Sequence, residues 1–159
     1  MKNGLLYSAR VGDLERVKEC IEKEGKDVNE KIGGMTALVC ASWFGQLEVV
    51  KYLIEKGANV NDTTWYDITA LMRASHNGHL DVVEFLVENG ADINAKDNYY
   101  NSTALILASA KGHFEMVQYL ISKGADMNVK GKDNATALIV ASMEGYFEIV
   151  EYLVNNGAK

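Results

Sequence analysis

Residues Thr69–Asn94 read TALMRASHNGHLDVVEFLVENGADIN, and near-copies of this stretch begin at Thr36, Thr103 and Thr136. The starts are 33, 34 and 33 residues apart. Each copy runs T-A-L-x-x-A-S-x-x-G, then an apolar-rich segment, then G-A; three of the four close on Asn. A period this regular marks a repeat array, in which each unit buries its apolar face only by stacking on the next.

The unit divides into two helical halves. Thr69 suits a helix N-cap, its hydroxyl accepting a free backbone N–H. Ala70 to Asn77 then give a short helix, which Gly78 stops by taking a left-handed conformation. In the second half Leu80, Val83 and Val87, with Val82 and Leu86 beside them, recur at helical spacing, and Asp81 favours the first turn. The small pair Ala74 and Ser75 stands where helices must approach closely. Helices of about 8 to 11 residues are marginal alone and need their neighbours.

The chain thereby resembles the ankyrin-repeat family. Thr36, Leu38, Ala41, Gly45, Leu47, Glu48, Gly57, Ala58 and Asn61 match the family motif in one copy, and Gly78, His79, Leu80, Gly90, Ala91, Asp92 and Asn94 in the next. The resemblance implies an all-α solenoid of helix-turn-helix units joined by β-hairpin fingers. Two departures recur. Ala37, Ala70, Ala104 and Ala137 replace the family's Pro, and the chain contains no Pro; alanine, a good helix former, costs little there. Val39, Met72, Ile106 and Ile139 replace its His, so apolar contact is expected in place of the imidazole's hydrogen bonds.

The 159 residues are read as one domain. Residues 1–29 are expected to be a degenerate capping unit and the natural start of the protein, with Lys2, Asn3 and Arg10 interrupting its first helix; full repeats follow at 30–61, 62–94, 95–128 and 129–159. Turn-rich segments open the full repeats, and the third carries the extra residue of the 34-residue interval. The last unit keeps an apolar face of Leu138, Ile139, Val140, Phe147, Val150 and Leu153. It is either the edge of a longer array or a self-association surface.

A net charge of −6 argues against nucleic acid, whose phosphates demand clustered Lys and Arg. Acidic residues such as Glu48, Glu55, Asp81, Glu84, Glu88, Glu115, Glu148 and Glu151 fall mainly on the longer helices, as a solvated outer face would have them. No apolar run approaches membrane-spanning length and no signal core precedes the repeats, so an intracellular, cytoplasmic setting without membrane insertion is expected. Cys20 and Cys40 read as buried reduced thiols.

Catalytic constellations are not found. His79 and His113 sit at the Gly-His junction and read as braces of the turn between helices. Ser75 and His76, adjacent on a helix, point about 100° apart. Asn59, Asn61, Asp92, Asn94, Asp126 and Asn128 occupy equivalent turns, where turn hydrogen bonding explains them. Metal-ligand spacings and phosphate loops are lacking, so neither an enzyme nor a cofactor is expected.

The resemblance places a partner-binding surface on the finger tips and the open side of the short helices. There the chain offers Trp43, Phe44, Trp65, Tyr66, Arg73, His76, Tyr99, Tyr100, Lys111 and Met143. Turn chemistry does not call for paired aromatics at a finger tip, whereas Trp and Tyr are enriched in binding hot spots. The rings either bind a protein partner or pack finger on finger, for instance Trp65 against Tyr99. The expected function is a non-catalytic protein–protein interaction module. Its alternatives are a targeting or regulatory segment of a larger multidomain protein or effector, and a self-associating scaffold. The resemblance further implies hydroxylation of Asn61 or Asn94 by a cellular oxygenase.

Overall fold

The computed structural model describes residues 4–159; Lys2 and Asn3 of the expected capping helix lie outside them. Among the described residues ten α-helices follow in pairs. They are α1 (Leu5–Val11) with α2 (Leu14–Lys18), α3 (Ala37–Trp43) with α4 (Leu47–Glu55), α5 (Ala70–Asn77) with α6 (Leu80–Glu88), α7 (Ala104–Ala110) with α8 (Phe114–Ser122), and α9 (Ala137–Glu144) with α10 (Phe147–Asn155). A π-helical stretch, Glu19–Lys23, prolongs α2.

Threonine sets four of these starts. Thr36, Thr69, Thr103 and Thr136 are buried in extended backbone, and their hydroxyls accept the amides of Val39, Met72, Ile106 and Ile139 at 3.2–3.3 Å. The odd-numbered helices form one layer, each packed on the next, and each is backed by its even-numbered partner in a second layer. Close approach within the first layer rests on Ala41, Ala74 and Ala108 beside Ser42, Ser75 and Ser109, all fully buried. Leu38, Leu71 and Leu105 fill equivalent core positions, as do Leu53, Leu86, Leu120 and Leu153 in the second layer. Val39, Met72 and Ile106 are buried where the family carries His. Apolar packing therefore substitutes for the imidazole at those three sites.

The fingers are shorter than hairpins with paired strands. Among the described residues they close only on isolated bridges, Ile32 with Met35 and Thr63 with Thr69. Their turns carry left-handed residues, namely Gly33, Gly34, Asp67, Asn101, Asp133 and Asn134, and the pairs Gly33–Gly34 and Asp133–Asn134 suit two-residue hairpin turns. Neighbouring fingers are nonetheless tied. Lys31 pairs with Asp62 at 2.7 Å, the Asn98 amide donates to the Tyr66 carbonyl at 3.0 Å, and the Lys132 amide to the Tyr100 carbonyl at 2.6 Å.

Just ahead of the fingers, asparagines staple one unit to the next. Asn61 donates from Nδ2 to the Gly90 carbonyl at 3.1 Å and accepts the Asp92 amide at 2.7 Å. Asn29 does the same with Gly57 and Asn59, and Asn94 with Gly124 and Asp126. The turn bonding expected from sequence is present as well: Asp27, Asn59, Asp92 and Asp126 each accept the amide two residues on. His79 and His113 also reach between units. Their Nε2 atoms lie 3.1 Å from the carbonyls of Trp43 and His76, which only a ring N–H can satisfy. The histidines thus brace one repeat against the preceding one.

Cys20 and Cys40 are free and buried, and burial pushes both thiols up. No helix among the described residues is long and apolar enough to cross a membrane. At the C-terminal end Ile139, Met143 and Phe147 stand open to solvent, at 44, 78 and 76% exposure.

A candidate partner-binding groove

Arg73 is the pivot of the site. It lies one residue past the buried Met72 on α5, so its stem leaves the packed layer toward the finger side. The guanidinium carbon sits 4.1 Å from the centre of the Trp43 ring on the preceding short helix. Trp43 in turn stacks on Phe44, with centroids 5.8 Å apart and planes 17° from parallel, and Arg10 covers the Phe44 ring at 4.9 Å. Two arginines therefore bracket a stacked pair of rings across the first three units. Burial lowers the pKa of Arg73, an effect that the nearby Asp97 carboxylate opposes.

Beside this stack opens a cavity of about 450 Å³ between the second and third fingers. Tyr66, Arg73, His76, Tyr99 and Tyr100 line it, together with Ile68, Met72, Asp97, Ser102 and Leu107. Five of the ten residues expected from sequence thus meet in one groove. Asp97 shapes its far wall. This side chain is buried; one oxygen accepts the amides of Tyr99 and Tyr100 at 2.9 and 2.6 Å, and the other that of Ser102 at 2.8 Å. The resulting loop holds Tyr99 and Tyr100 edge to face at 4.5 Å, and Lys132 hangs over both rings at 5.7 and 5.4 Å. His76 is pushed toward its neutral form, first by burial and then by Lys111, Arg73 and His113, against a contact with Asn77 that favours its charge.

The other expected residues lie around or away from this cavity. Trp43 and Phe44 form the stack that supports Arg73. Trp65, 73% exposed, lies across Gly34 of the previous finger and borders a smaller hollow of about 150 Å³, which Arg73 also reaches. A side chain at position 34 would displace that indole. The contact between neighbouring fingers is made by Tyr66 against Tyr99, at 5.9 Å and 64°, and not by Trp65 against Tyr99. Lys111 is exposed at the end of α7, and Met143 stands on the outermost short helix, apart from the groove. Asp97 and Leu107 escaped the sequence reading. An aspartate in a turn looks ordinary, and the only hint at Asp97 was the extra residue in its finger.

Among the described residues no three of His, Cys, Asp or Glu gather as a metal site. Comparison with curated proteins gives no match. A family model described as ankyrin repeats (3 copies) matches residues 5–97 and again 71–159.

Proposed function

The chain belongs to the ankyrin-repeat family, whose repeats are generally protein–protein interaction modules, and from this premise we propose that it captures a protein partner in the groove between its second and third fingers. The observation that carries this reading is a preformed aromatic cavity on a stacked frame. Tyr66, Tyr99 and Tyr100 remain more than half exposed although they contact one another. Finger packing and binding are therefore compatible uses of the same rings. A rigid frame loses little entropy on association, so most of the buried ring area is realised as affinity. Binding is favoured over catalysis, because among the described residues that line the groove no hydroxyl is hydrogen-bonded to His76 or Asp97 as a base.

Capture from a lysate of the source organism, comparing the wild type with the combined Trp65→Ala, Tyr66→Ala and Tyr99→Ala variant, tests the proposal. We expect the captured proteins to be lost while the Tm moves by only a few degrees. An unchanged captured set from the folded variant overturns it.

A second reading has its own observation. Ile139, Met143 and Phe147 occupy positions whose equivalents in the preceding unit, Ile106, Ala110 and Phe114, are covered or half covered by α9 and α10. The open face would accept one more helical pair, including that of a second copy. Light scattering across a concentration series distinguishes this: a constant monomer mass removes self-association. The repeat boundaries at 30–61, 62–94, 95–128 and 129–159, and a reducing intracellular setting that keeps Cys20 and Cys40 as thiols, belong to the same proposal.

A further inference from the structure

The chain carries a net charge of −6, yet Arg10, Arg73, Lys111 and Lys132 lie on the groove side. Among the described residues none of these four forms an ion pair, as is also true of several lysines elsewhere. Arg10, Arg73 and Lys132 are held by aromatic faces instead.

Arg73 is the sharpest case. Its Nε is shut off from solvent without a hydrogen-bond partner, and no other nitrogen of its side chain has a protein partner. A guanidinium without a hydrogen-bond partner carries a cost that an acceptor reaching its terminal nitrogens would offset. Stacking on Trp43 uses the face of the guanidinium and leaves its edge, with donors in fork geometry, for a planar acceptor. Asp97 is close enough to influence Arg73, but both its oxygens are turned to the amides of Tyr99, Tyr100 and Ser102. No carboxylate of the chain meets that edge.

Much of the remaining wall is apolar or aromatic, from Tyr66, Ile68, Met72, Tyr100 and Leu107, with His76, Asp97 and Ser102 as its polar members. We propose that the groove holds an extended segment of a partner protein bearing an Asp or Glu side chain, whose carboxylate pairs with the edge of Arg73, next to a bulky apolar residue seated between Tyr66, Met72, Tyr100 and Leu107. A carboxylate matches the site better than a phosphate. The Asp97 carboxylate repels a dianion more strongly than a monoanion, and bidentate Arg–carboxylate pairing uses the one guanidinium that lines the cavity. This inference rests on the groove being the binding surface and specifies what that surface recognises.

The experiment selects dodecapeptides from a random displayed library on the full chain. The best binder and its counterpart with acidic residues replaced by the matching amides are then measured by fluorescence polarisation. Each is titrated against wild type, Arg73→Gln, Arg73→Lys and Tyr99→Ala, with the fold of every variant checked by its helical circular dichroism and Tm. The inference predicts selected sequences with Asp or Glu beside an aromatic or aliphatic residue. It also predicts that amide replacement weakens binding to the wild type about tenfold or more, but changes binding to Arg73→Gln little. Arg73→Lys falls between, because it keeps the charge and loses the fork. Should Arg73→Gln fail to fold, the comparison of acid and amide peptides on Arg73→Lys decides, with a reduced difference expected. Binders that lack acidic residues, or that tolerate amide replacement on the wild type, overturn the carboxylate; loss of their binding to Tyr99→Ala leaves the groove reading intact. Binders indifferent to Tyr99→Ala overturn both.

Discussion

Three backbone amides converge on the carboxylate of Asp97, and the geometry of the third finger follows from that. Without it the buried amides of Tyr99, Tyr100 and Ser102 lose their acceptor, and Asn101 loses its reason to hold a left-handed backbone at φ 51°. Asp97→Ala is expected to cost about 1–3 kcal/mol in urea unfolding, with faster hydrogen exchange at those three amides and little change in α3 or α9. Uniform exchange across the chain would show that the finger depends on other contacts. Tyr66, Tyr99 and Tyr100 stood out in the sequence because turn chemistry does not call for paired rings at a finger tip, and Arg73 because it lies one residue past Met72 on a short helix. Asp97 did not. An aspartate at a finger base looks the same whether it faces water or holds the loop from inside.

At the level of elements, the helices and their caps were written plainly in the repeat: threonine, alanine, leucine at the start and glycine at the stop. The links between units were less visible. Asn94 reads as a turn residue, and it does follow one, but its side chain works on the next unit, at Gly124 and Asp126. Partners some 30 residues away carry no local signature, and turn preference already accounts for an asparagine at that place. Asn94→Ala is therefore expected to lower stability by about 1 kcal/mol, and Asn61→Ala by a similar amount, since each removes two partly solvated bonds. Asn89→Ala is the control, because Asn89 only returns to Phe85 within its own helix turn. Equal urea midpoints for Asn89→Ala and Asn94→Ala would deny the stapling role. In the fingers the hairpin turns expected from sequence are present in short form: among the described residues they close on isolated bridges, over left-handed residues such as Gly33 and Gly34, without extended strands.

For the molecule as a whole, stability is a chain of nearest-neighbour interfaces. Leu86 sits between units on both sides, while Leu153 is supported from one side, although both are fully buried. Truncating either should cost about 2–5 kcal/mol locally. Leu153→Ala is expected to lower native-state hydrogen-exchange protection in α9 and α10 alone. Leu86→Ala should lower it on both sides of α6. Identical protection patterns would mean that the array unfolds as one body.

Because the parts touch only the next in line, and are tied to it by finger bonds and by asparagine amides, the protein is in mechanical terms a short leaf spring. Drawn out from its two ends, it would pay out one pair of helices at a time from the C-terminal margin, each release lengthening the chain by on the order of 110 Å. A partner that pulls while it is held would thus meet an elastic tether, one whose slack comes in equal portions.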